Sequence, residues 1–236
     1  MPRFQSLISN GEYIVGCTGQ TVYVYDKNNI ELAKFKDLKY AYTPEFSPNG
    51  DIFIVKSTTG RLAVYSLKEL SLLKKFRFSK VDCSQDDGFC FSPDGKEFYN
   101  IERHIDSCKT ALSIYNTTDF SLKKRLFLKD TLTVLSDIEY DNETDTYYLI
   151  GFFRDKVTGV KSECFVSKLV NDKLTDILEV SWKEYVNCTE YKNLQRMGFS
   201  DMAREYFETN PDDKTFEENY TISTLYKINT NRNHSF

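Results

Sequence analysis

The sequence predicts an all-β chain built from repeated four-stranded antiparallel units, and three observations carry that prediction. The tetrapeptides SPNG (47–50) and SPDG (92–95) stand 45 residues apart, each after a phenylalanine (Phe46, Phe91) and each before a strand-like run. Tyrosines close three similar runs, VYVYD, LAVYS and LSIYN, at Tyr25, Tyr65 and Tyr115. Aromatic residues make up 15% of the 236, with 18 Phe and 16 Tyr, and such side chains suit a pleated, half-buried surface.

The units follow in order. The first, from Arg3 to Phe35, reads RFQSLISNG, EYIVGCT, GQTVYVYDKNNI, ELAKF; the second, from Thr43 to Phe76, reads TPEFSPNG, DIFIVKST, TGRLAVYSLKEL, SLLKKF. The third runs from Gly88 to Leu126 as GFCFSPDG, KEFYNIER, HIDSCKTALSIYNTTDF, SLKKRL, with the same sequence of strand and polar turn. In the repeated turn Pro presets φ and Gly supplies the positive φ that other residues adopt at a cost. The fourth unit, Val134 to Trp182, is more diverged; the fifth begins near NLQRMGFSD (193–201) and ends with YTISTLYKI (220–228). Over residues 191–208 a helix competes with a hairpin, because Leu194, Met197, Met202 and Phe207 fall near helical spacing.

A single four-stranded meander cannot bury both of its faces. Units of this kind pack face to face, and a radial arrangement closes a ring with short, protected edges. The expected fold is therefore all-β: a β-propeller of about five four-stranded antiparallel blades, the last incomplete or carrying a helical insertion. One domain over residues 1–236 is expected, with blades near 3–38, 40–80, 86–130, 133–183 and 190–236.

FSPNGDIFIVKSTTGRLAVYS and FSPDGKEFYNI resemble the core of WD40-like β-propeller repeats, with Tyr in place of the usual Trp at the end of the third strand. The resemblance is specific over residues 3–126 and loose over 134–228. The Gly-His dipeptide that many such repeats carry before the first strand is missing, which implies loss of the hydrogen-bonded side-chain network of the regular repeat. It also implies a use: propellers of this family typically present the loops of one face to a protein partner.

Composition narrows the function. Lys and Arg total 31 against 35 Asp and Glu, a formal charge of −4, so no strong field draws in nucleic acid or an anionic membrane. The basic pairs and triplets, such as Lys74-Lys75 and Lys123-Lys124-Arg125, recur at one place in the repeat and read as solvated strand edges. The N-terminal MPRFQSLISNGEYIVG lacks the apolar core of an export signal, and no run approaches the roughly 20 apolar residues of a membrane span. A cytoplasmic protein is the expectation. Its six cysteines form no C-x-x-C pair and read as reduced thiols, and the five N-x-S/T sequons then read as accidents of composition.

Catalytic signatures are poor. Of two histidines, His104 lies in a turn with Asp106 and Cys108, a pair of types that suits a nucleophile and base but lacks an evident third orienting group. Asp141, Glu143 and Asp145 alternate like the opening of a calcium loop, without the Gly and the final Glu such a loop needs. No cofactor, metal site or catalytic residue is predicted. Asp82, Asp86 and Asp87, in the connection between the second and third units, form the candidate partner-binding patch. The expected function is a non-catalytic protein-interaction scaffold or binding module using one face of the propeller. The alternatives are an immunity-type inhibitor of one toxin or enzyme and, less so, a propeller hydrolase or lyase.

Overall fold

The computed structural model describes residues 4–59, 61–76, 88–104, 106–141, 145–171 and 173–180. They form sixteen strands in four antiparallel sheets, each a meander paired in chain order. Sheet one holds β1 (Ser6–Ser9), β2 (Tyr13–Cys17), β3 (Val22–Asp26) and β4 (Glu31–Phe35); sheet two holds β5 (Ala41–Phe46), β6 (Ile52–Ser57), β7 (Leu62–Ser66) and β8 (Ser71–Lys75). Sheet three holds β9 (Phe89–Phe91), β10 (Glu97–Arg103), β11 (Thr110–Asn116) and β12 (Leu122–Phe127); sheet four holds β13 (Thr133–Asp141), β14 (Thr146–Arg154), β15 (Lys161–Val170) and β16 (Lys173–Val180). The four sheets fall inside the first four expected blades. The fifth, and with it the choice between helix and hairpin at 191–208, lies outside the described residues.

The repeated tetrapeptide does the same job twice. In SPNG the Gly50 amide donates to the Ser47 carbonyl at 2.9 Å, and in SPDG the Gly95 amide donates to the Ser92 carbonyl at 2.9 Å. Both glycines have positive φ, 72° and 67°, which explains their place in the pattern. The serine hydroxyls tie the turn from within: Ser47 Oγ accepts the Ile52 amide and Ser92 Oγ accepts the Glu97 amide. In sheet one Asn10 takes over, its Oδ1 accepting the Tyr13 amide at 2.8 Å.

Side-chain alternation builds the core between sheets. Val15 and Cys17 of β2 and Val22 and Val24 of β3 meet Phe53 and Val55 of β6 and Ala63 and Tyr65 of β7. The intervening Ile54, Leu62 and Val64 point the other way and meet Phe89, Phe91, Phe98 and Tyr115 of sheet three. Cys90, Ile101 and Leu112 then meet Leu135, Ile138, Leu149 and Phe165 of sheet four. β6 and β7 are thus buried on both faces, as sheets between two neighbours must be.

The first strand of each sheet is innermost: β1 lies against β5, and β9 against β13. The last strands are the outer edges, where Leu32, Leu72, Leu73, Leu122 and Phe127 are exposed among lysines. Each of the first three sheets has a register shift between its third and fourth strands, at Val24/Tyr25, Val64/Tyr65 and Ile114/Tyr115. Lysines and bulges are how natural sheets keep an edge from pairing further.

Candidate functional site

An all-antiparallel meander sends its turns to two different ends. The first–second and third–fourth turns share one end; the second–third turns and the connections between sheets share the other. The first end is closed by short turns that touch, since Gly50 faces the Asn10 side chain and Gly95 faces Pro48.

The second end carries the longer connections. The Thr58 amide donates to the Tyr40 carbonyl, the Ala41 amide to the Gly19 carbonyl and the Leu128 amide to the Thr110 carbonyl, so each connection is pinned beside a second–third turn. Lys109 Nζ reaches the Lys129 carbonyl at 2.9 Å. From this end project Tyr40, 61% exposed, and Val157 and Val160, 91% and 62% exposed. Val157 and Val160 sit on the β14–β15 turn, which is held in shape: Asp155 Oδ1 accepts the Val157 and Thr158 amides at 2.9 and 2.7 Å. These bonds, with the Thr158 amide the strongest cause, hold the Asp155 carboxyl below the usual carboxylate range.

Asp82, Asp86 and Asp87 lie outside the described residues, in a connection that runs between Phe76 and Gly88 at this second end. Its return point is tightly specified. The Gly88 carbonyl accepts the Ile101 amide at 2.8 Å and the buried Lys56 ammonium at 3.3 Å; Lys56 also donates to the Ile101 carbonyl at 2.9 Å. A Cβ at Gly88 would stand 2.4 Å from Ile101 Cδ1 and 2.8 Å from the Ser136 carbonyl oxygen. Sheets two, three and four therefore converge on one glycine at the foot of that connection.

The turn at 104–109 rests on a buried polar cluster that the sequence did not reveal. Glu102, 2% exposed, accepts Tyr115 Oη at 2.6 Å and Asn100 Nδ2 at 3.2 Å on one carboxylate oxygen. Its other oxygen accepts Ser113 Oγ at 2.9 Å and Arg125 Nη2 at 3.2 Å, and lies 3.3 Å from His104 Nε2. Arg125 Nε also donates to Ser113 Oγ at 2.9 Å. The His104 ring packs edge-on against Phe127, centroids 5.1 Å apart. The regular network expected to be missing is thus matched in sheet three by one of different make-up, centred on a glutamate.

This cluster contains a serine, a histidine and a carboxylate, yet its geometry is not that of a nucleophilic triad. Serine and histidine both bond the same carboxylate, rather than one another. Glu102 is surrounded by donors, and Cys108 sits on the exposed rim with φ of 53°. The arrangement fixes the 104–109 turn and joins β10, β11 and β12. Comparing units shows the signal that was available: register places Val55, Ala63 and Lys75 of sheet two where Asn100, Ser113 and Arg125 stand in sheet three.

Among the described residues no group of three or more His, Cys, Asp or Glu is disposed to hold a metal ion. No described helix is long and apolar enough to cross a membrane. Cys17 and Cys164 are pushed up to about 12 and about 11 by burial.

No protein-family model matches this chain, and no curated protein matches its sequence. Among solved structures it is similar to hydrazine synthase of Kuenenia stuttgartiensis, with 12% sequence identity and a TM-score of 0.58. The match covers 76% of this chain and 50% of that one, so this chain corresponds to about half of the solved protein. At that identity the likeness speaks for fold alone. Four-stranded antiparallel meanders stacked face to face, with their first strands innermost, make the described residues a propeller-like all-β structure.

Proposed function

We propose that this chain is a WD40-like propeller that works as a non-catalytic protein-binding module, using the end of the sheets that carries the connections between them. One observation carries the reading: the two ends are unlike. One is closed by short, mutually touching polar turns, and the other holds Tyr40, Val157 and Val160 far into solvent on backbone that is pinned by hydrogen bonds. Exposed apolar and aromatic side chains on a rigid frame are what a protein interface uses as anchors. The connection bearing Asp82, Asp86 and Asp87 leaves from the same end and would add an acidic rim, which favours a partner with basic groups around an apolar centre.

The test is capture of the tagged protein from its native lysate, with mass spectrometry and metal analysis of the eluate. A single stoichiometric protein partner supports the reading, and its identity decides whether the module belongs to a complex or neutralises a toxin or enzyme. A partner-free eluate carrying a metal or an organic cofactor contradicts it.

A further inference from the structure

We propose that Phe236 packs on Tyr25, and that this contact joins the C-terminal segment of the chain to the open face of sheet one. The structure contains the same contact twice. Phe35, at the end of β4, meets Tyr65 of the next sheet at 4.5 Å between ring centroids. Phe76, just past the end of β8, meets Tyr115 of the next sheet at 5.1 Å. The two phenylalanines hold equivalent places: Phe35 pairs with Val22 and the Phe76 amide donates to the Leu62 carbonyl, and Val22 and Leu62 each precede their strand's tyrosine by three residues. The fourth-strand phenylalanine of one unit thus covers the third-strand tyrosine of the next.

Sheet one has no described unit before it, and its tyrosine is Tyr25. The face it offers is aromatic and half-open, with Phe4 edge-on to Tyr23 and Tyr25 at 5.8 and 6.1 Å. The equivalent tyrosines, Tyr65 and Tyr115, are 0% and 4% exposed under their neighbours. Beyond β16, which ends at Val180, the chain has 56 residues (236 − 180), more than the 30 that sheet one spans from Ser6 to Phe35. Within them STLYK (223–227) repeats the third-strand pattern of LAVYS and LSIYN, and Tyr226 is followed ten residues later by Phe236, as Tyr25 is by Phe35. Sheet four also buries Tyr148, Ile150, Phe152 and Val166, residues that lie outside the core it shares with sheet three. A unit following it accounts for both faces. Closure on this account is side-chain packing, with no strand exchanged between the two ends of the chain.

The test is a double-mutant cycle on the full-length protein, reading urea unfolding of Phe236→Ala, Tyr25→Ala and the double variant. Each single change is expected to raise the unfolding constant, and the pair to be coupled by about two- to tenfold, the range for aromatic pairs. Phe236→Ala combined with Tyr115→Ala serves as the uncoupled control. Should an alanine variant fail to fold, the cycle is run with Phe236→Leu and Tyr25→Leu. Wild-type unfolding of Phe236→Ala, or additivity with Tyr25, overturns the proposal. So does coupling of Tyr25 to Phe4 alone, which would make Phe4 the sole cover of that face.

Discussion

Tyr115 donates its hydroxyl to the buried carboxylate of Glu102 at 2.6 Å, whereas Tyr65, at the equivalent place in sheet two, buries its hydroxyl with no hydrogen-bond partner among the described residues. Burial raises both phenols, and Glu102 pushes Tyr115 the same way. A hydrogen bond to a charged group contributes about 1.5–3 kcal/mol, while an unpartnered buried hydroxyl contributes nothing and costs its desolvation. Tyr115→Phe is therefore expected to destabilise by about 1.5–3 kcal/mol, and Tyr65→Phe to be neutral or stabilising. Urea unfolding of the two variants checks the contrast; equal losses contradict it.

Glu102 itself is the larger loss. Glu102→Ala leaves Arg125 and the Asn100, Ser113 and Tyr115 donors without their shared acceptor, and breaking a buried ionic cluster from one side costs about 3–5 kcal/mol. Replacing the cluster jointly by its sheet-two counterparts (Asn100→Val, Glu102→Ser, Ser113→Ala, with Arg125→Lys) is expected to cost less than Glu102→Ala alone, because no buried charge is then stranded. Thermal unfolding of the two proteins decides it.

At the foot of the 77–87 connection, Gly88→Ala places a methyl against Ile101 Cδ1 and the Ser136 carbonyl. The carbonyl is backbone and cannot swing aside, so a loss of about 1–3 kcal/mol is expected, as for other overpacked sites. Gly95→Ala, with Pro48 Cδ at 3.5 Å, meets no such clash, and its cost comes only from its positive φ.

Asp94 is held down to about 2 by the Lys96 amide first, then the Lys96 side chain and the Ser92 hydroxyl. Its folded value lies below the ordinary carboxylate value, so the stabilisation it brings is present above about pH 4 and is lost as pH falls towards 2. In Asp94→Asn that part of the acid dependence is expected to vanish. Stability measured between pH 5 and 2 on both proteins shows whether it does.

Thiol labelling checks burial directly. Cys108 is exposed, whereas Cys17, Cys90 and Cys164 are buried, and burial raises the Cys17 and Cys164 thiols well above the pH of labelling. Mass spectrometry after brief alkylation is expected to find Cys108 modified and these three intact until denaturant is added.

The parts of the fold legible in the sequence are those fixed by local chemistry. SPNG and SPDG announced their turns because Gly at positive φ and a serine that bonds across the turn are local requirements. Tyr25, Tyr65 and Tyr115 marked the third strands because each repeats the same inward position. The cluster at Glu102 was hidden for the opposite reason: in EFYNIER, Glu97 and Glu102 look alike, and only register against β11 shows that one lies at the rim and the other faces sheet two. Lys56 in IFIVKS was equally silent, since its acceptors are carbonyls of a different sheet. The exposed face likewise follows from which turns share an end, a property of the meander and not of Tyr40 or Val157 taken singly.

The central claim is that one end of the sheets recognises a protein, and capture from native lysate with face-specific variants tests it most directly. Tyr40→Asp and Val157→Asp change exposed side chains at the connection-bearing end, and Ile30→Asp changes an exposed one at the opposite end. Recovery of the stoichiometric partner is expected to fall at least about tenfold for the first two and to hold for the third, with thermal stability of all three near that of the unaltered protein. Undiminished capture by Tyr40→Asp and Val157→Asp, or loss with Ile30→Asp alone, would contradict the account.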